Sequence, residues 1–362
     1  MNVGKESGFV LDSNEIKLSI IIPVYNTEKY LRKCLNSVIT AVDGIENTVE
    51  VLIINDGSPD NSQAIITEFC AKYKWMYSFK KNNGGLSDVK NFGLMKAKGT
   101  YAIFLDSDDY VEPGMYRTML EQGEKEEADI IVCDIKLVYD DPSKNTVWPC
   151  AISSREGTFA QVMDMSMMPA SWNKMVKRNL YVGLEFPVGL NNEDVSVTPI
   201  VLARAKKIIT IDKPYYNYYQ RTGSIQNSSF NEKRFVILQT TKLCIDRMKE
   251  KEVEDDKAEI IKGSLYLHQV LSMAFYPIRY EAFDKRYRLL KLYMTQVETL
   301  FPDIWDNYEI KEFQTWETIH MQLYRKISCQ LLKRKCYYLT CVFWSIYAVC
   351  KEKYIQLKKC NG

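Results

Sequence analysis

This 362-residue chain lacks most of the patterns that would assign a common function. None of its ten cysteines forms a CxxC pair, which argues against a zinc ribbon or a thioredoxin-like redox motif. No GxGxxG follows the first apolar run and no GxxxxGK(S/T) exists, so neither a dinucleotide site nor a P-loop is indicated. Histidine is nearly absent, with only His268 and His320. Neither sign of charge is in excess: 48 Lys and Arg against 46 Asp and Glu leave +2, and no electrostatic case for nucleic acid as a partner. The opening "MNVGKESGFVLDSNEIK" holds no apolar core of signal-peptide length. Scattered cysteines without such a leader read as reduced thiols in a cytoplasmic protein.

What is present is ordered. "LSIIIPV" (18–24) and "VEVLIIN" (49–55) are apolar runs suited to fully buried parallel strands. Between them "TEKYLRKCLNSV" places Leu31, Cys34, Leu35 and Val38 on one helical face, with Asn26 or Thr27 as cap. "DGSPDNS" is a turn offering Ser58 or Asp60 as the next cap, ahead of the helix "QAIITEFCAKY". Strand "WMYSFK", helix "LSDVKNFGLMKA" and strand "TYAIFLD" continue the alternation, which predicts a parallel sheet with right-handed crossovers. A helix near "GMYRTMLEQG" and a strand "ADIIVCDIKLVY" follow. Further helices are expected at "FAQVMDMSMM" and "SWNKMVKRNL". Beyond them comes a helix capped by Asn191 or Asn192, with Glu193 and Asp194 in its first turn, then a strand "KKIITID". After residue 230 the pattern turns helical.

Open parallel sheets bind ligands at the carboxyl ends of their strands, which here read "PVYN", "NDGS" and "DSDD". Three carboxylates, Asp106, Asp108 and Asp109, directly follow a buried strand. Such a cluster is tolerable around a hard divalent cation, Mg²⁺ or Mn²⁺, that also bridges phosphate oxygens. The alternative is capping of the turn or of the next helix, and Asp109 suits that job best.

The segments "IIPVYNTEKYL", "VEVLIINDGSPDNS", "NNGGLSDVKNFGLMKAKGTYAIFLDSDDYVEP", "WNKMVKRN" and "NNEDVSV" together resemble, in order and spacing, the family 2 glycosyltransferases of the GT-A fold, across residues 17–227. The resemblance implies an α/β nucleotide-sugar-binding domain (1–230) with a mostly parallel central sheet; by their own pattern the residues beyond it read as a helical C-terminal region (231–322) and a basic amphipathic tail (323–362). It implies an inverting hexosyltransferase that uses a UDP-sugar, with Mn²⁺ or Mg²⁺ as cofactor and a glycan or lipid-linked acceptor, as in bacterial surface polysaccharide synthesis. Pro23, Tyr25 and Asn26 then lie beside the nucleotide, with Tyr25 stacking on the base or packing under the sheet edge. Asp56 accepts the imino hydrogen of uracil. Asp106 and Asp108 form the DxD, one toward the ribose and one on the metal. Asp194 is the base, and Trp172, Lys174 and Glu193 belong to the sugar or acceptor pocket, Trp172 being equally suited to the core. Lys90 replaces an arginine of many relatives on the donor side, and Arg221 lies in a lid that reaches the diphosphate.

The last 40 residues carry nine Lys and Arg against one acid, Glu352, around a 15-residue apolar run from Cys336 to Cys350. That run falls short of the ~20 residues a spanning helix requires. A helix lying in the headgroups of an anionic membrane, on the inner face of the cell membrane, is expected, with packing or a homo-oligomer contact as the alternative. Two other functions compete with sugar transfer: a non-catalytic sugar-nucleotide-binding partner subunit, and a nucleotidyltransferase. The second would need a glycine-rich basic loop where "PVYNTEKY" stands.

Overall fold

The computed structural model describes residues 16–150, 159, 163, 169–220, 232–275, 278–307 and 319–360. It divides into two compact units, Met1–Asn227 and Ser228–Gly362.

The first unit is built on β1 (Leu18–Val24) and β2 (Val49–Asn55), all fourteen residues of which are buried. Each large aliphatic side chain so buried contributes about 1.5–3 kcal/mol, which is why these apolar runs occupy the sheet's middle. Glu50 is the one charged residue inside β2. Its Oε1 accepts from Ser19 Oγ at 2.7 Å and from the Lys98 amide at 2.6 Å, so the buried carboxylate is satisfied. β3 (Met76–Lys80) and β4 (Tyr101–Phe104) flank this pair in parallel, giving the order β3-β2-β1-β4. Helices α1 (Glu28–Ala41), α2 (Ser62–Lys72) and α3 (Leu86–Lys96) form the crossovers. On α1 the buried residues are Leu31, Cys34, Leu35, Val38 and Ala41, the expected face. Its first free amide, Glu28 N–H, is capped by Asp60 across the neighbouring loop at 2.9 Å. α3 approaches the sheet closely at Gly93, where an added Cβ would lie 2.4 Å from Ile21 Cγ2. That approach lays the helix, and Lys90 on it, against β1.

Beyond β4 the sheet is mixed. The short strand β5 (Tyr110–Val111) follows the acidic turn, and α4 (Met115–Lys125) leads into β6 (Ile130–Val138) with β7 (Thr146–Trp148) beside it. β8 (Lys174–Lys177) runs antiparallel between β4 and β6, and β9 (Ile208–Tyr219), reached through α5 (Thr198–Arg204), is parallel to β6. Two local expectations are overturned here. "SWNKMVKRNL" is not a helix, since its middle is β8. Lys174, Met175 and Val176 are all buried between two strands, and that pairing overrides their helix propensity. The strand "KKIITID" does not end there but continues through "KPYYNYY", which pairs with β6 on one side and β5 on the other. The helix expected at 159–168 and the lid from 221 onward, Arg221 included, lie wholly or mostly outside the described residues.

The described residues of the second unit contain helices and no strand. They comprise α6 (Val236–Glu250), α7 (Asp255–Leu265) with a π-helical continuation Tyr266–Leu271, α8 (Phe283–Leu300), α9 (Ile319–Lys333) and α10 (Tyr337–Cys360). No helix among the described residues is long and apolar enough to cross a membrane.

Candidate active site

The carboxyl ends of β1, β2 and β4 converge as the sheet topology requires. At β1, Pro23 is buried within the strand, opposite Ile54 of β2, whereas Tyr25 is 51% exposed at the rim. Asn26 adopts a left-handed backbone (φ 53°), and its amide donates to Ser58 Oγ at 3.3 Å. Tyr25 thus presents an open aromatic face where the expected base would stack.

At β2, Asp56 is buried and its acceptors are engaged. Oδ1 takes Lys81 Nζ and the Gly84 amide, each at 2.9 Å, and Oδ2 takes the Gly85 amide at 2.8 Å. Gly85 needs its positive φ of 84° to present that amide at the start of α3. Asp56 therefore builds the glycine loop first. Only one of its oxygens, Oδ2, has a single described donor, so reading uracil directly requires that remaining lone pair.

The three carboxylates after β4 divide their work. Asp109 is buried, accepting from Tyr216 O–H at 2.7 Å and from the Tyr219 amide at 2.8 Å. It ties the turn to β9 rather than capping a helix. Tyr216 in turn accepts the Asp106 amide at 3.3 Å, so one phenol bridges the turn to its own last carboxylate. Thr27 Oγ1 and Ser107 Oγ, 2.9 Å apart, pin the other side of the turn to the β1 loop. Asp106 and Asp108 remain half-buried. Burial pushes the Asp106 carboxyl up to about 7; Lys90 opposes that, and Asp108, Asp194 and Glu193 add to it. A carboxylate so short of positive charge suits a cation. Among the described residues no three His, Cys, Asp or Glu side chains are preassembled around a metal position. One or two hard oxygen donors fit Mg²⁺ or Mn²⁺ only with diphosphate oxygens and water completing the shell, which is how those ions usually bind.

Lys90 lies at the centre of the second cluster. It is 1% exposed, and Nζ donates to Asp194 Oδ1 at 2.6 Å, Glu193 Oε1 at 2.7 Å and Ser171 Oγ at 3.2 Å. The rings of Phe186 and Phe104 stand 5.1 and 5.3 Å away. Burial disfavours the ammonium, but Asp194, Glu193 and Asp106 outweigh it and hold Lys90 charged far above the ordinary lysine range. Its three N–H groups are each directed at one of these partners. Glu193, on the 3₁₀ turn Glu193–Ser196, is likewise buried against Lys90 rather than presented to a sugar. Asp194 is the more open of the pair, its side chain 15% exposed, with Oδ2 accepting the Ser171 amide at 3.2 Å.

Of the two alternatives for Trp172, the structure has the core one. Trp172 is buried, stacked on Tyr216 with ring centroids 4.3 Å apart, and so supports the carboxylate turn from behind. Lys174 is buried in β8, donating to Ala170 O at 2.8 Å and Asn173 Oδ1 at 2.9 Å, with burial bringing its ammonium down to about 8. Sequence reasoning did not find Tyr216, Ser171, Ser107 or Lys81. Tyr216 stands in a tyrosine-rich run whose alternation is masked because both faces carry aromatics.

The model for glycosyl transferase family 2 matches residues 19–178, which span β1, the carboxylate turn and β8. This chain carries a family 2 glycosyltransferase domain. It is 32% identical over 221 residues to the glycosyltransferase GlyA of Streptococcus pneumoniae, covering 58% of this chain. The chain spans only 31% of GlyA's length. With GlyG of the same organism it shares 27% identity over 227 residues, covering 59% of this chain and 74% of GlyG. Among solved structures, S. aureus TarS 1-349 in complex with UDP-GlcNAc aligns with a TM-score of 0.63 and 20% identity, covering 83% of this chain and 93% of that one. That likeness shows a GT-A glycosyltransferase fold, with its curled sheet and helical C-terminal region.

Proposed function

We propose that the chain transfers a sugar from a UDP-hexose or UDP-N-acetylhexosamine to a hydroxyl of a glycan or lipid-linked oligosaccharide. Transfer by one direct displacement inverts the anomeric carbon, so an α-linked donor gives a β-linked product. The observation that carries this reading is the buried ammonium of Lys90, which donates to Asp194 Oδ1 at 2.6 Å and Glu193 Oε1 at 2.7 Å and stands 5.3 Å from the ring of Phe104, two residues before Asp106. Two acidic clusters far apart in the chain thus sit within reach of one ammonium, one cluster suited to the donor and one to the acceptor.

In this reading Tyr25 stacks on the base, and the loop held by Asp56 shapes the nucleotide's edge. Asp106 and Asp108 would hold Mg²⁺ or Mn²⁺, whose charge favours departure of the diphosphate. The acceptor oxygen bonds to the anomeric carbon as the bond to the diphosphate oxygen breaks, and the acceptor proton passes to Asp194. Lys90 and the Ser171 amide each occupy one lone pair of that carboxylate, leaving the others for the proton and fixing the carboxylate's plane. The complexes of TarS with UDP-GlcNAc and with UDP support a UDP donor. The teichoic acid biosynthesis protein GgaB of Bacillus subtilis, 27% identical over 230 residues, supports a cell-surface polymer as the destination.

Donor hydrolysis by the purified chain, without acceptor, tests the proposal. UDP release from at least one UDP-sugar in Mn²⁺, slowed strongly by Asp194→Asn, is expected. Tight UDP-sugar binding with no release from any donor, even with glycan acceptors added, would leave a binding subunit instead.

A further inference from the structure

We propose that the outward face of α10 is a docking surface for anionic lipid headgroups. The proposal needs only the helical unit and stands apart from the transfer reaction above. One side of α10 is committed to its own unit. Tyr337, Thr340, Cys341, Trp344 and Tyr347 are buried, and Trp344 Nε1 donates to Ser328 Oγ of α9 at 2.9 Å. Arg286 of α8 donates to Cys341 O at 3.2 Å and Ser345 Oγ at 2.8 Å. The opposite side carries Tyr338, Leu339, Ile346 and Val349, between 54% and 58% exposed. Counted at about 100° per residue, Tyr338, Val349, Val342, Ile346 and Leu339 fall at about 0°, 20°, 40°, 80° and 100°. They form one apolar stripe; Tyr338 at its start meets the rings of Phe283 and Tyr287, while Leu339, Ile346 and Val349 stay exposed.

Length and charge decide what covers it. From Tyr338 to Val349 is about 17 Å of helix, roughly half the ~30 Å hydrocarbon core, so the stripe lies along a membrane rather than through it. Lys333, Arg334 and Lys335 precede the stripe and are exposed, Lys335 also meeting Glu298 at 2.7 Å. Lys351, Lys353, Lys358 and Lys359 follow it, with Glu352 the only acid from 333 to 360. A second copy packed on the stripe, parallel or antiparallel, would set a basic end against a basic end. An anionic headgroup layer meets both ends with opposite charge while its acyl boundary takes the apolar residues.

Deleting residues after Leu323 is no clean test, because Trp344 and Tyr347 belong to the unit's core. Point changes on the exposed face are. The full chain is sedimented with phosphatidylcholine vesicles, with and without phosphatidylglycerol, at low and high salt, and UDP-sugar hydrolysis is followed on the same samples. Binding is expected only to the phosphatidylglycerol vesicles, weakening with salt. Ile346→Ser with Val349→Ser should lower the partition coefficient by roughly tenfold or more. Lys333→Gln with Arg334→Gln, both exposed, should lower it about fivefold per residue. Thermal unfolding of both variants should match the parent. Equal partition to neutral vesicles, no binding at all, or loss of a dimer in the Ile346 and Val349 variant would each overturn the proposal. Donor hydrolysis reports on the transfer reaction independently.

Discussion

Replacing Lys90 by methionine tests both the architecture and the chemistry of the base. The change keeps most of the side chain's volume between Phe104 and Phe186 and removes only the ammonium. What remains is Glu193 and Asp194, whose oxygens both stood within 2.7 Å of one nitrogen, now facing each other without a counter-charge. Breaking a buried pair in this way costs about 3–5 kcal/mol, a large share of a domain's usual 5–15 kcal/mol. At 2–4 °C per kcal/mol for a domain of this size, the melting temperature should fall by roughly 6–20 °C. The pH dependence is also constrained. Lys90's value is raised in the folded state, so its contribution is complete below the ordinary 10.5 and fades only as pH climbs through the higher folded value. Lys90's own ionisation is therefore constant between pH 6 and pH 9, so any narrowing of the deficit measured by calorimetry toward pH 6 reports a proton taken up by the uncompensated carboxylates. Turnover should fall by about 10²-fold or more while the donor's KM changes little, because the lost contact orients the base. Adding Glu193→Gln restores charge balance and should recover much of the melting temperature without recovering turnover. A Lys90→Met protein melting within 1–2 °C of the parent would refute the charge argument, and recovery of turnover along with stability in the double variant would refute the positioning role.

Other expectations separate the carboxylates from one another. Asp108→Ala should abolish Mn²⁺-dependent UDP binding in calorimetry, and unchanged binding would remove Asp108 from the metal. Asp194→Asn should keep donor affinity but lower turnover by about 10²–10⁴-fold; near-normal turnover would put the base elsewhere, with Glu193 the first suspect. Asp109→Asn should behave differently from both, lowering stability by about 1–3 kcal/mol through the Tyr216 and Tyr219 contacts while metal-dependent donor binding persists. Tyr25→Ala should weaken UDP binding by about 1–3 kcal/mol if its open face carries the base, with stability unchanged as expected for a half-exposed residue.

The sequence alone determined whatever depends on local periodicity. β1 and β2 occupy the residues their apolar runs marked, and α1 buries Leu31, Cys34, Leu35 and Val38 as its spacing required. The carboxylate turn was legible because three acids after a greasy strand have no local explanation. Tertiary structure decided what each polar residue does there. A strand in the middle of a sheet is chosen by its neighbours, so Lys174–Lys177 became β8 despite a helix-compatible composition. Asp109 found its task in Tyr216 and Tyr219, more than a hundred residues away, and Trp172 in the ring of Tyr216. Lys90 is the plainest case. A lysine on an amphipathic helix reads as solvent-facing, since burying an unpaired ammonium is prohibitive. Only the fold supplies the two carboxylates, 103 and 104 positions later, whose attraction offsets that desolvation.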